Sequence, residues 1–385
     1  MYIGINTRFL IREKLEGFGV YTDEIVQRLV QAHPDDRFRC YFDRAVDQRF
    51  RYGPNMEPVS LWPPARHPLL YRLWYDVRLK ADLRRHRPDV FFSPDGYMPT
   101  GSGVPVVLTV HDVAPRRFPD HLTRMHRRYY LHHMPRYLEQ AAHIITVSEF
   151  SRREIMHWYR IPEAKISVIH NGVSSGFAPL SPADQQATRR KLTGGKPYLL
   201  YVGAIHPRKN VEALVRAFDI FKHTTNNDVQ LIIAGARSWK TSSVSEAINA
   251  AEYQEEIHQV GYVAEGDLPA MIGGALAMCY VSLYEGFGMP VLEAMASGVP
   301  VLTSSADSTG AALAEVAGEA GIQVDPQSEE EIAAGMARIA GDRPLRQALI
   351  EAGIHRARMF SWDTAAQKTY DVLRRLAGME TIGKL

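Results

Sequence analysis

Short, wholly apolar runs alternate along this chain with longer stretches whose apolar residues recur at helical spacing, and that alternation leaves few folds open. Strands with one wet face read apolar-polar-apolar, whereas strands covered on both faces read as unbroken apolar runs. The pattern therefore predicts parallel sheets with helices on both sides. In the first half the strands fall at Tyr2–Asn6, Phe38–Phe42, Val90–Ser93, Val106–Val110 and Ile144–Val147. That series stops at Val168–Val173, where Asn171-Gly172 is a turn signal. A second series runs through Tyr198–Val202, Val229–Ala234, Ile257–Gly261, Ala277–Val281 and Val299–Thr303. The stretch between them, 174–197, is rich in Ser, Pro, Gly and charge, and reads as a connection carrying one short helix. Two α/β domains are expected, 1–173 and 198–361, which suits a length of 385 residues. Residues 362–385 hold a last helix near Thr364–Ala377, with Ser361 or Asp363 as its cap.

Composition excludes several classes. No run of 18 apolar residues is present, so no membrane span is expected. Met1–Asn6 enters a strand with no basic leader, and Cys40 and Cys279 are the only cysteines. A disulfide framework or cysteine-based zinc site is excluded, and a reducing cytoplasm is expected. The net charge of +2 conceals an asymmetry: residues 1–170 sum to +7 and the remainder to −5. Eleven of the fifteen histidines also lie in the first segment, and a basic half of this kind suits an anionic partner or surface.

The chemistry concentrates after two strands of the second series. Following Ala277–Val281 comes Ser282-Leu283-Tyr284-Glu285-Gly286-Phe287-Gly288-Met289-Pro290-Val291-Leu292-Glu293. Pro290 fits the first turn of a helix, so the run reads strand, glycine turn, helix. Glu285 then sits at the lip of the sheet, and Glu293 about a turn into the helix. Gly286 and Gly288 let backbone approach a ligand, and the free N–H groups of a helix start suit an anion or a hydroxyl-rich group. After Tyr198–Val202 comes Gly203-Ala204-Ile205-His206-Pro207-Arg208-Lys209, and then an amphipathic helix from Val211. Two fixed cations at a strand-to-helix turn make a site for a diphosphate.

The acidic run, continued by Ser297-Gly298-Val299-Pro300, resembles the motif of glycosyltransferase family 4, retaining nucleotide-sugar enzymes of the two-Rossmann (GT-B) fold. The resemblance implies two Rossmann-like domains facing across a cleft, with the final helix returning to the N-terminal domain. It implies that Glu285 faces the donor sugar, that Glu293 holds the ribose hydroxyls, and that Gly203, Arg208 and Lys209 take the diphosphate with Gly286, Phe287 and Gly288 close by. In the first half, Gly17 and Gly19 match a glycine-rich loop that approaches the donor, and His111 matches a histidine beside the reacting carbon. Ser148 reads equally as a helix cap or a site residue, and Asp112 as a cap or as the orienter of His111. No two aspartates are spaced Asp-x-Asp, so the diphosphate charge falls to Arg208, Lys209 and a helix dipole, and neither metal nor cofactor is expected.

The implied reaction moves a hexose from a nucleotide diphosphate to a hydroxyl of a glycan or lipid-linked acceptor. Similarity in style to surface-polysaccharide mannosyltransferases makes GDP-mannose the first donor, with UDP-hexoses as the alternative and a non-catalytic sugar-nucleotide binder as the other reading. No nucleic acid partner is expected. Two basic, aromatic-laced stretches, Arg66–Arg87 and Arg116–Arg136, read either as helices with aromatics inward or as a peripheral face for an anionic membrane at the inner surface. One departure from the family is Ser304–Glu315, which is longer than the usual serine-rich loop and lacks its Pro-Glu.

Overall fold

The computed structural model describes the whole chain except residues 13, 14, 16, 66, 237–241, 308–310 and 383–385. It divides into two compact units, Met1–Gly172 with Ser361–Leu385, and Val173–Phe360. In the first unit seven strands form one parallel sheet in the order β3-β2-β1-β4-β5-β6-β7. These are β1 (Tyr2–Asn6), β2 (Arg37–Phe42), β3 (Met56–Ser60), β4 (Val90–Ser93), β5 (Val106–Val110), β6 (His143–Thr146) and β7 (Ile166–Val168). In the second unit six strands run β10-β9-β8-β11-β12-β13, again all parallel. They are β8 (Tyr198–Val202), β9 (Gln230–Ala234), β10 (Ile257–Gly261), β11 (Ala277–Tyr280), β12 (Val301–Ser304) and β13 (Gly321–Val324). The central strands are buried along their whole length, as their unbroken apolar runs require.

Both sheets have the doubly wound order, in which the chain starts in the middle and reverses direction across the sheet. Loops leaving the carboxyl ends of the two central strands diverge there and open a crevice, the usual ligand position in such sheets. In the second unit those strands are β8 and β11, which carry the two motif loops.

The stretch 174–197, expected as a connection with one short helix, belongs to the second unit, and its helix is Pro182–Thr193. Ser181 caps it by accepting from the Asp184 N–H, and Arg189 Nε donates to the Gly274 carbonyl at 2.8 Å. The terminal helix is Trp362–Ile382, longer than expected, and Ser361 Oγ accepts from the N–H groups of Asp363 and Thr364. It packs on the helix Gly17–Ala32 and buries Trp362, Ala365, Ala366, Thr369 and Leu373. Gly172 has a steric reason to be glycine: a Cβ there would lie 2.1 Å from the Trp362 nitrogen and 2.6 Å from the Ser361 carbonyl carbon.

Candidate active site

Where β8 ends, Gly203 has φ 150° and its N–H donates to the Ala234 carbonyl at 2.9 Å. Gly235 packs so closely behind it that a Cβ there would lie 1.8 Å from the Gly203 oxygen. Two glycines back to back hold the loop tight against the sheet. His206 then caps a single 3-10 turn, Pro207–Lys209, and Asn210 follows in the left-handed conformation at φ 60°. Asn210 Nδ2 donates to the carbonyls of Val281 and Pro326. Its side chain thus ties the β8 loop to the β11 loop.

The β11 loop carries Glu285, which is 6% exposed. Its carboxylate is ion-paired to Lys209 Nζ and lies 3.4 Å from Arg208 Nη1. Lys209 Nζ also donates to Tyr280 Oη at 2.8 Å, and Arg208 Nη1 donates to the Tyr284 carbonyl at 3.1 Å. Below them Tyr280 and Tyr201 are stacked, with centroids 5.5 Å apart and planes 10° from parallel. Burial pushes the Glu285 carboxyl up, but the charges of Lys209 and Arg208 overcome that effect and hold it below its usual range. Glu285 is therefore ionised at neutral pH. The motifs read separately in the sequence form one charge cluster.

Gly288 precedes the helix Met289–Ala296 at φ 119°, and a Cβ on it would meet Leu313 at 2.5 Å. Pro290 is in the first turn as expected. Glu293 is half-buried on this helix, and among the described residues no hydrogen bond or ion pair engages its carboxylate. Burial pushes its pKa up to about 7. A semi-enclosed carboxylate with no protein partner is suited to receive donors from a ligand, such as adjacent hydroxyls. Phe287 is buried with its ring edge-on to Phe360 at 5.8 Å, so near that loop its contribution is backbone rather than a free ring.

In the first unit His111 follows β5. Its Nε2 is 2.7 Å from the Pro94 carbonyl, to which the protonated nitrogen donates, and its ring lies between Phe18 and the edge of Tyr21. Burial lowers its pKa more than the Pro94 hydrogen bond, Asp112 and Asp95 raise it, so the ring is neutral above pH 6.5. Asp112 Oδ1 accepts from the Ala114 N–H, which makes it a cap of the next turn. Ser148 Oγ accepts from the Ser151 N–H and caps the helix Glu149–Tyr159. Gly17 and Gly19 lie inside the first turn of the helix Gly17–Ala32 rather than in a loop. A Cβ on Gly19 would meet the Phe9 carbonyl at 2.9 Å, whereas around Gly17 there is open space.

Sequence reasoning passed over Tyr280, Tyr201 and Asn210, which position Lys209 and the loops. An apolar strand conceals the first two, since a tyrosine at its end reads as core; a left-handed Asn just before a helix was the available signal for the third.

Comparison with known proteins identifies the two halves separately. The family described as Glycosyltransferase Family 4 matches residues 15–176, and Glycosyl transferases group 1 matches residues 184–356. The chain is 30% identical over 381 residues to O-antigen chain mannosyltransferase B of Escherichia coli, covering 95% of this chain and 98% of that one. Among solved structures, sucrose-phosphate synthase of Thermosynechococcus elongatus superposes with a TM-score of 0.76 at 20% identity, covering 98% of this chain and 99% of that one. Anabaena HepE, solved with UDP and glucose, gives 0.75 at 18% identity over 97% of this chain and 100% of that one. With a relative this similar along nearly its full length and both halves matched, the chain belongs to glycosyltransferase family 4, and is a glycosyltransferase of the GT-B fold.

Proposed function

We propose that the chain transfers mannose from GDP-mannose, with retention at the anomeric carbon, to a hydroxyl of a glycan or lipid-linked oligosaccharide during surface-polysaccharide synthesis. The observation that carries this is the 30% identity, over nearly the whole chain, to an O-antigen mannosyltransferase. The site chemistry supports it. Arg208 and Lys209, now paired with the single carboxylate of Glu285, are the cations on which a leaving diphosphate would rest. As the diphosphate draws them, Glu285 is freed to accept hydrogen bonds from sugar hydroxyls. Glu293, with no partner among the described residues, accepts from the ribose. The leaving diphosphate oxygen takes the acceptor's proton on the face from which it departs, and the sugar passes through an oxocarbenium-like state. With two protein cations supplying the charge, turnover is expected to survive EDTA.

The acceptor reading gains support from the basic stretches of the first unit. Trp74, Tyr75, Tyr129 and Tyr137 pack inward, as the ordinary reading of those helices has it. Outward, Leu73 and Val77 are exposed one turn apart, together with Met125 and with Arg72, Arg78, Arg84, Arg85, Arg124 and Arg128. Exposed apolar side chains on stretches rich in exposed arginine suit an anionic lipid surface. Among the described residues no helix is long and apolar enough to cross a membrane.

The test is nucleotide release from GDP-, UDP-, ADP- and dTDP-sugars with EDTA present, for wild type and Glu285→Gln. GDP release from GDP-mannose, lost in the variant, is the expected result. Turnover of a UDP-hexose alone would overturn the donor assignment, and strict metal dependence would overturn the charge argument. Donor binding without transfer to any acceptor would leave a sugar-nucleotide binder.

A further inference from the structure

A groove of about 370 Å³ lies on the first unit beside the helices Arg124–Gln140 and Glu149–Tyr159, lined by Arg116, Leu131, Pro135, Trp158, Tyr159 and Arg160. Its volume suits a small sugar-sized ligand. Three independent features say what kind. The first is charge. The Arg116 guanidinium lies over the Trp158 ring, 5.0 Å from its centroid, and no described carboxylate pairs with Arg116 or Arg160. Carboxylates nearby are committed elsewhere: Glu154 accepts from Arg117 at 3.0 Å and from Trp158 Nε1 at 3.3 Å, while Glu149 and Glu163 both pair with Arg152. The groove is therefore cationic and lacks an internal counter-ion.

The second feature is backbone. Pro135 sits inside its helix and has no N–H to give the Leu131 carbonyl one turn back, and both residues line the groove. A carbonyl without its helical donor suits a hydroxyl. The third is a held aromatic wall. Trp158 is fixed through Nε1 to Glu154 and by its edge contact with His157 at 5.1 Å. Next to it, Arg160 caps the helix at φ 55°, a position where glycine is the usual residue and a charged side chain carries strain. Guanidiniums for an anion, a carbonyl for hydroxyls and rings for a C–H face are jointly what a phosphorylated hexose needs.

We propose that this groove binds a phosphorylated hexose, as a carbohydrate site separate from the donor nucleotide site. Trp158 lies ten residues along its helix from Ser148, about 15 Å at 1.5 Å per residue from the end that meets His111. The ligand is either a free hexose phosphate or a hexose phosphate within a glycan, and the two share this chemistry.

Calorimetric titration of the full chain, held in excess GDP, with mannose 6-phosphate, its methyl phosphodiester, mannose and inorganic phosphate tests the assignment. Saturable binding of a phosphorylated mannose is expected, with mannose and phosphate each weaker by about tenfold or more. A tighter monoester points to the free metabolite, and a tighter diester to a glycan-linked phosphate. Arg116→Gln and Arg160→Gly should each lose about tenfold in affinity. Arg160→Gly also relaxes the left-handed backbone, so its melting temperature should hold or rise and unfolding cannot account for the loss. No saturable binding, unchanged affinity in both variants, or inorganic phosphate binding as tightly as the sugar phosphate would each overturn the proposal.

Discussion

Replacing Glu293 by glutamine should stabilise the protein and weaken its grip on the donor at once. The carboxyl is half-buried with no partner among the described residues, and burial raises its pKa from 4.5 to about 7. Between those two pH values the unfolded chain has released this proton while the folded chain still holds it. The folded state therefore loses stability as pH rises from 4.5 to 7, and the loss is constant above 7. At 1.36 kcal/mol per pH unit the full cost would be roughly 3 kcal/mol, and partial solvent access cuts it to about 1–2 kcal/mol. Glutamine keeps the shape without the titration. Urea denaturation of both proteins should coincide at pH 4 and separate progressively to pH 7, with the variant more stable by about 1–2 kcal/mol at pH 8. In the same variant nucleotide affinity should fall about 10- to 100-fold, because hydrogen bonds to a charged acceptor are worth roughly 1.5–3 kcal/mol. Wild-type affinity should itself weaken below pH 7 as the proton competes with the ribose, and the variant's should not. A stability gain that is independent of pH, or no gain at pH 8, would refute the reasoning.

The Lys209–Glu285 pair is buried enough that breaking it from one side should cost about 2–4 kcal/mol, with Arg208 retaining part of the charge. In a denaturation cycle of Lys209→Met, Glu285→Gln and the double variant, the double should fall short of the sum by about 1–2 kcal/mol; additive costs would dissolve the cluster as a unit. Since Glu285 is held below its usual range, its stabilisation is present above pH 4.5 and is lost as pH falls below that; Lys209→Met should move acid unfolding to higher pH, and an unmoved acid midpoint counts against the ion pair. Gly172→Ala forces a methyl against the backbone of Trp362 and Ser361, and should cost about 3 kcal/mol or more, read as a lowered melting temperature and faster proteolysis of the terminal helix. Leu73→Glu with Val77→Glu should abolish sedimentation with phosphatidylglycerol vesicles while GDP-mannose hydrolysis in solution persists; retained sedimentation would remove this face as the membrane contact.

Strands missing from the sequence reading share a position. β3, β7 and β13 are all edge strands, whereas every central strand was legible. An edge strand is covered less and can carry residues a central one cannot: β3 contains Glu57 and Pro58, and β13 contains Gln323. Such strands show no apolar run, and β7 has only three residues. The helix Pro182–Thr193 was legible as the one short helix of 174–197, but its place in the second unit was not. It docks with little apolar stripe, since Thr188 fits against Gly274, where a Cβ would lie 2.8 Å from its methyl, and the preceding Leu180 fills the space at Gly273. Backbone-close packing on glycine needs no amphipathic signature, so this polar helix reads as part of a connection rather than of a domain.

The site divides along the same physical line. Positions where the backbone itself is constrained, Gly203 and Gly288 at positive φ and Pro290 in a first turn, are local properties and are written in the sequence. Partnerships are not. Glu285 lies 76 residues beyond Lys209, and only the neighbouring placement of β8 and β11 brings them together. That placement changes the chemistry the residues imply. Read separately, Arg208 and Lys209 are cations waiting for a diphosphate, and Glu285 is an acceptor waiting for a sugar. When they are joined, Glu285 offsets one of the two cationic charges, so the donor must exchange an ion pair as well as meet the remaining charge. The electrostatic gain on binding is then a difference between two paired states, smaller than two bare cations would provide. Glu285→Gln, by releasing Arg208 and Lys209, should accordingly bind GDP more tightly than wild type while losing transfer. Weaker GDP binding in that variant would mean that Glu285 orders the cations rather than competing for them.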